Sequence, residues 1–162
     1  MRHLRIIAAV AALVVAFDQL TKHWALNALG DGDVVHVIWT LRFNLSFNSG
    51  MAFSTGTDAG PFIGLAAILV SIVLVVWQLR TMREGQSGRG SLIITGLIVG
   101  GAWGNIVDRL FREEKWLHGR VVDFIDFQWW PIFNIADAAV TVGVLLMVAN
   151  SFRSGLKEES DV

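Results

Sequence analysis

The chain has 162 residues, 54% of them hydrophobic and 17% charged, with a net charge of -1 and no cysteine. The near-neutral charge argues against a nucleic-acid partner held by phosphate neutralisation, and the missing cysteine excludes disulfides, thiol nucleophiles, thiolate metal sites and a cysteine-linked lipid anchor. A mean hydropathy of +0.55, where soluble domains carry about 25% charged residues, marks a membrane protein of single-domain length, residues 1–162.

Four segments reach the roughly 20 apolar residues that cross a hydrocarbon core. The first spans about 4–26, "LRIIAAVAALVVAFDQLTKHWAL". Arg2 and Arg5 ahead of Ile6 to Phe17 also resemble a cleavable leader. The apolar run continues past Asp18 to Trp24, however, and no small-x-small site precedes a mature start, so the segment is expected to remain. Residues 31–58 follow, with β-branched and aromatic stretches between Gly, Asp and Asn, and predict a small sheet with turns. The second span covers about 61–79 and has Pro61 in its first turn, where the missing N–H costs nothing. A short basic linker, "RTMREGQSGRG", leads to the third span, 91–111. Residues 112–130 predict a short helix and then a strand, and the fourth span covers about 132–152. Lipid-facing backbone must satisfy its own hydrogen bonds, so all four spans are helices.

Four spans put both termini on one side. Arg2, Arg5, Arg80, Arg83, Arg89, Arg153 and Lys157 then face the cytoplasm, with Arg42, Arg112, Lys115 and Arg120 opposite. Trp24, Trp39, Trp116, Trp129 and Trp130 gather at the outer interface as an aromatic belt.

The polar residues within the spans cluster near those outer ends. Asp18 and Lys22 are four apart, in the favourable acid-then-base order. Asn105 and Asp108 are three apart with Arg109 next, after Gly100, Gly101 and Gly104, which allow close helix approach. Asn134 and Asp137 share a face. Structural readings exist for most of these. Asp18 with Lys22 and Asp108 with Arg109 read as ion pairs, Asn105 and Asn134 as interhelical bridges, and Asp126 as a solvated loop residue. Asp137 has no cation within a turn, and a lone intramembrane acid is a functional hypothesis by default.

His3, His23, His36 and His118 lie at ends or in loops, and no spacing marks an oxygen-ligand site, so neither a metal nor a cofactor is expected. No serine is paired with a base in a recognisable elbow. Two carboxylates sharing a site are different: they cannot both ionise, so they leave one acid and one base near neutral pH. Asp123 is the best partner for Asp137, with Pro131 breaking any single helix through both. In an extended "RVVDFIDF", Asp123 and Asp126 point to opposite faces. Parity separates these two acids without saying which is catalytic.

Five motifs in order, "DQLTK" at 18–22, "NSGMAF" at 48–53, "GGAWGNIVDR" at 100–109, "GRVVDF" at 119–124 and "FNIAD" at 133–137, resemble those of the lipoprotein signal peptidases, or signal peptidase II. This is a bacterial family of intramembrane aspartic peptidases. The resemblance covers almost the whole chain. It implies an all-α integral membrane fold of four transmembrane helices, with a small extracytoplasmic β-cradle and a short extracytoplasmic helix. It further implies that Asp123 and Asp137 are the catalytic dyad. Asp18, Lys22, Asn48, Asn105, Asp108, Arg109 and Asn134 would support them, with Gly50 giving Asn48 a tight turn towards substrate. The implied substrate is a diacylglyceryl-modified prolipoprotein, cut just before its lipidated cysteine. The implied setting is the bacterial inner membrane, where a monomer sensitive to globomycin-type cyclic peptides meets its substrate among membrane lipid.

Two other readings fare worse. A proton-coupled transporter using Asp18, Asp108 and Asp137 needs a relay across the membrane, and near mid-span the second helix offers only Ser71 and the fourth only Thr141. A purely structural subunit leaves the clustered acids and amides without a cause.

Overall fold

The computed structural model describes residues 2–50, 59–85 and 88–160, the last eight of these as backbone only. Met51, Ala52 and Phe53 of the second motif, and the expected β region beyond Gly50, lie outside the described residues. In chain order the elements are α1 (Arg2–Leu29), β1 (Val34–Ile38), β2 (Leu41–Asn48), α2 (Gly60–Arg83), α3 (Arg89–Phe111), β3 (Val121–Asp126) and α4 (Ile135–Ser160). All four helices are long and apolar enough to cross a membrane.

The third helix is the centre of the bundle, packing on α1, α2 and α4. Small residues make this possible. A Cβ added at Gly96 would meet Val10, and one at Gly100 would sit 2.8 Å from the Ala11 Cα. Gly104 continues that face, where a Cβ would lie 2.7 Å from Asp18 Oδ2 of α1, while a Cβ at Gly101 would press on the Ala136 carbonyl of α4. Without a hydrophobic drive between helices in lipid, such close backbone approach is a main source of attraction.

The strands form one antiparallel sheet in the order β1-β2-β3, so it combines a hairpin from the first loop with a strand from the second. Trp24 anchors it to the end of α1, edge-on to Phe43 of β2 at 5.2 Å and to Phe124 of β3 at 6.0 Å. Ala25, Leu29 and Phe124 bury the apolar centre of that junction.

Three expectations are corrected. First, residues 112–120 form bends and turns, not a short helix. Their backbone is committed elsewhere: Gly119 N–H donates to the Arg109 carbonyl at 3.0 Å, and Leu117 adopts φ 59° with its side chain fully buried against Gly64 of α2. Second, α4 starts at Ile135, three residues after the apolar run begins. Phe133 is paired with Ile125 through reciprocal backbone hydrogen bonds of 2.9 and 3.1 Å, which holds the chain extended up to Asn134. Third, Asp126 is 3% exposed instead of solvated, because Arg42 Nε (2.7 Å), Asn44 Nδ2 (3.3 Å) and the Gln128 N–H (2.6 Å) surround its carboxylate. Burial alone would raise its pKa, but the donations from Arg42, Gln128 and Asn44 outweigh it and hold Asp126 below the ordinary carboxylate range.

Candidate active site

The site is organised around the first turn of α4. Asn134 is the residue before the helix, and its Oδ1 accepts the Asp137 N–H at 2.9 Å, while Asp137 Oδ2 accepts the Asn134 N–H at 3.3 Å. This reciprocal pair is a capping box with Asn and Asp in place of the commoner Ser/Thr and Glu/Gln. Asp18 of α1 completes the cap by accepting the Ala136 N–H on Oδ1 at 2.9 Å. The Asp137 carboxylate therefore sits at a helix N-terminus, where the exposed N–H groups and the helix dipole favour a negative charge.

A buried ion cluster fixes the neighbouring amides. Lys22 Nζ lies 2.8 Å from Asp18 Oδ2, 2.8 Å from Asp108 Oδ2 and 2.9 Å from Asn105 Oδ1, which engages all three ammonium hydrogens. Lys22 and Asp18 are fully buried, and Asp108 is 1% exposed. Arg112 Nε reaches Asp108 Oδ1 at 2.7 Å, so two anions face two cations. Because an ammonium can only donate, Lys22 requires the Asn105 oxygen on its side, which turns the Asn105 NH2 towards Asp137 Oδ1 at 2.8 Å. Asp108 Oδ2 also accepts the Val122 N–H at 3.1 Å and so pins β3 to α3.

That pinned strand carries Asp123. Its Oδ1 accepts from Asn134 Nδ2 at 2.7 Å, and its Oδ2 from Asn48 Nδ2 at 3.2 Å. The Asn48 oxygen in turn takes the Gly50 N–H at 2.9 Å, which fixes that amide as a donor to Asp123. Asn134 thus binds both acids. Asp123 is 2% exposed, and burial, followed by the nearby Asp137 carboxylate, pushes its pKa up to about 6 against the donations from Asn48 and Asn134. Asp137 is partly exposed. The two acids are therefore unequal: one is enclosed and resists ionisation, and the other stands at a helix terminus on an open surface.

That surface is the polar end of a cavity of about 530 Å³. Asn48, Gly50, Asn105, Arg109 and Asp137 line this end, and mostly apolar side chains of α2 and α3, with Ser71 of α2, Val121 of β3 and Val140 of α4, line the remainder. Asp123 stands behind the wall, joined to it through Asn48. Gly50 is a position that only glycine fills easily: its φ is 76°, and a Cβ there would be 2.7 Å from Ile63 Cδ1 and 3.4 Å from Arg109 Nη2. The absent side chain lets backbone, guanidinium and α2 meet at the cavity edge.

The residues named for the dyad and its support fall in this region, and Asp126 lies apart from it with Arg42. Asp18, Lys22, Asn105, Asp108, Asn134, Asp123, Asn48 and Asp137 form one continuous network, and Arg109 and Gly50 adjoin it at the cavity. Two members were not singled out. Gln19 Nε2 bridges Asp18 Oδ2 (3.2 Å) and Asp108 Oδ1 (3.1 Å), and Arg112 balances Asp108. The Asp108–Arg112 spacing of four was a legible signal, as was the Asn134-x-x-Asp137 capping pattern. Gln19 had none, since the Gly104 carbonyl and Asp108, which it joins to Asp18, lie on another helix.

The sequence model of the signal peptidase (SPase) II family matches residues 10–153. The chain is 41% identical over 151 residues to the lipoprotein signal peptidase of Mycolicibacterium smegmatis, covering 93% of this chain and 62% of that protein. It is likewise 41% identical over 151 residues to the lipoprotein signal peptidase of Mycobacterium avium, covering 93% of this chain and 80% of that one. A bacterial membrane enzyme solved by the in meso method at 2.3 Å resolution superposes with a TM-score of 0.76 at 30% identity, over 92% of this chain and 88% of that chain. The chain spans just over three-fifths of the length of the first of these relatives. The match across nearly all of the described bundle, at this identity, places the chain in the signal peptidase II family.

Proposed function

We propose that this chain is an aspartic endopeptidase of the bacterial inner membrane that removes the signal peptide from diacylglyceryl-modified prolipoproteins, cutting just before the lipidated cysteine. The observation that carries this reading is the pair of unequal carboxylates, Asp123 and Asp137, drawn from a strand and a helix terminus and bound by one asparagine beside a largely apolar cavity.

Asp137, at the N-terminus of α4 and on the cavity, is the base. It takes a proton from a water, whose oxygen adds to the scissile carbonyl carbon, while Asp123 gives its proton to the carbonyl oxygen. The resulting neutral diol then collapses. Asp137 passes its proton to the leaving nitrogen, the C–N bond breaks, and Asp123 recovers a proton from a diol hydroxyl. Each acid returns to its starting state without a cofactor. Asn105, Asn134 and Asn48 hold the carboxylates as donors that cannot reverse, and Arg109 offers a fixed cation to substrate carbonyls at the cavity edge. The acyl chains supply affinity at about 0.8 kcal/mol per buried CH₂. In this reading the sheet lies on the extracytoplasmic side, both termini are cytoplasmic, the chain acts as a monomer, and globomycin-type cyclic peptides occupy the cavity.

The test is incubation of the purified chain with a diacylglyceryl prolipoprotein, followed by mass determination of both products. Release of an intact signal peptide and a lipidated cysteine at the new N-terminus is the expected outcome, blocked by a globomycin-type peptide. Uncut substrate, or cleavage elsewhere, contradicts the reading. Because Asp123 must hold its proton, kcat/KM is expected to fall about tenfold per unit as pH rises beyond about 6. A profile flat from pH 5 to 9 contradicts that assignment.

A further inference from the structure

A second group of buried polar side chains lies away from this network. Gln78 of α2, 1% exposed, donates Nε2 to Ser91 Oγ at 2.8 Å and accepts from Thr95 Oγ1 at 3.2 Å. Ser91 Oγ continues to the Gly88 carbonyl at 2.6 Å, and Thr95 is fully buried. Both ends of one amide therefore clasp α2 to α3 near the turn that joins them. Ser71, two helical turns closer to the site, turns its hydroxyl onto its own helix at the Ala67 carbonyl, 2.7 Å away.

The far end of α2 is held differently. Leu117 packs on Gly64 so closely that an added Cβ would be 2.9 Å from its Cδ2. Between Gly64 and Gln78, the residues Ala67, Val70, Ser71 and Leu74 form the α2 wall of the cavity. Among the described residues α2 packs on α3 and has no comparable interface with α1 or α4. Instead an apolar groove runs between Leu69, Val73 and Trp77 of α2 and Met147 of α4, and Val70 and Leu74 line both this groove and the cavity. The wall is thus fastened at two points with the cavity between them, and one fastening is a set of hydrogen bonds in which Gln78 and Thr95 are buried.

We propose that Gln78 is a positioning residue for substrate binding: through α2, the Gln78–Thr95–Ser91 clasp sets how far the cavity wall stands from Asn105 and Asp137, without touching substrate or either acid. The part that concerns substrate rests on the peptidase reading; the part that concerns the placement of α2 does not.

The full chain in a bilayer supplies the test, since it contains no cysteine and introduced thiols are its only ones. Spin labels at Ile72→Cys and Leu145→Cys, 55% and 64% exposed, report the α2–α4 distance, and labels at Leu13→Cys and Leu145→Cys report α1–α4 as a control. Gln78→Met and Thr95→Val are each expected to shift or broaden the α2–α4 distribution and leave α1–α4 unchanged, while Thr95→Ser keeps the native distribution. In prolipoprotein cleavage, KM is expected to rise about three-fold, the equivalent of one interhelical hydrogen bond of ~0.6 kcal/mol, with kcat held within about two-fold. Unchanged α2–α4 distances, a shift of both label pairs together, or an unchanged KM overturns the proposal. If the unmodified chain cuts no prolipoprotein, the peptidase reading fails by itself, and the two label pairs still decide whether the clasp places α2.

Discussion

The second and third helices differ in length by one residue, yet they do opposite work. α2 is the more apolar of the two, and its buried residues are only Gly60, Gly64, Ser71 and Gln78. α3 is less apolar, and it buries a full face that includes Gly96, Gly100, Gly101, Gly104, Asp108 and Arg109. In water the more hydrophobic helix would be the more central one. In a bilayer, where lipid is as apolar as leucine, small and polar residues mark the face turned towards protein. The functional side of this molecule is written in its glycines and amides, and its large aliphatic residues mark the lipid side.

That contrast is open to direct attack. The largest effect is expected at the cluster that α3 shares with α1. Lys22→Met leaves Asp18 and Asp108 buried without their shared cation, and a loss of about 3–5 kcal/mol in thermal or chemical unfolding is expected. A variant as stable as the parent would show that the cluster is not held by its charge balance. A smaller effect is expected on the glycine face. Gly101→Ala forces a methyl onto the Ala136 carbonyl and is expected to destabilise by about 1–3 kcal/mol, whereas Gly90→Ala, with nothing within 4 Å of the new atom, should not. Equal effects at both positions would erase the distinction between the packed glycine face of α3 and its exposed first turn. The smallest effect belongs to the lipid-facing side of α2: Leu69→Ala, at a position 62% exposed, should change stability by less than about 0.5 kcal/mol. A loss comparable to that of Gly101→Ala would place α2 inside an interface that the described structure does not contain.

The parts of this arrangement legible in the sequence were those set by local rules. The length of the apolar runs outlined the four spans. Spacing put Asp18 with Lys22, and Asn134 with Asp137, on shared faces. Extended parity separated Asp123 from Asp126, and the structure puts these acids in different environments, one among Asn134 and Asn48 and the other around Arg42. The parts that were not legible depend on distant partners. Ser46 pairs with Asp123 across the sheet, and nothing in either loop announces that a strand after α3 will complete a hairpin before α2. The short helix expected within 112–130 is absent because Leu117 and Gly119 are drawn onto α2 and α3. Nothing in its own segment marks Gln78, because its partners Ser91 and Thr95 lie on α3.

The account depends most on Asp123 and Asp137 dividing one proton beside the cavity. The direct measurement is prolipoprotein cleavage by Asp123→Asn and Asp137→Asn, each checked for retained helix content and thermal unfolding. Both variants are expected to stay folded and to lose activity by a factor on the order of 10³, within the range that acid–base groups supply. A folded variant of either kind that cuts at the parent rate would contradict it.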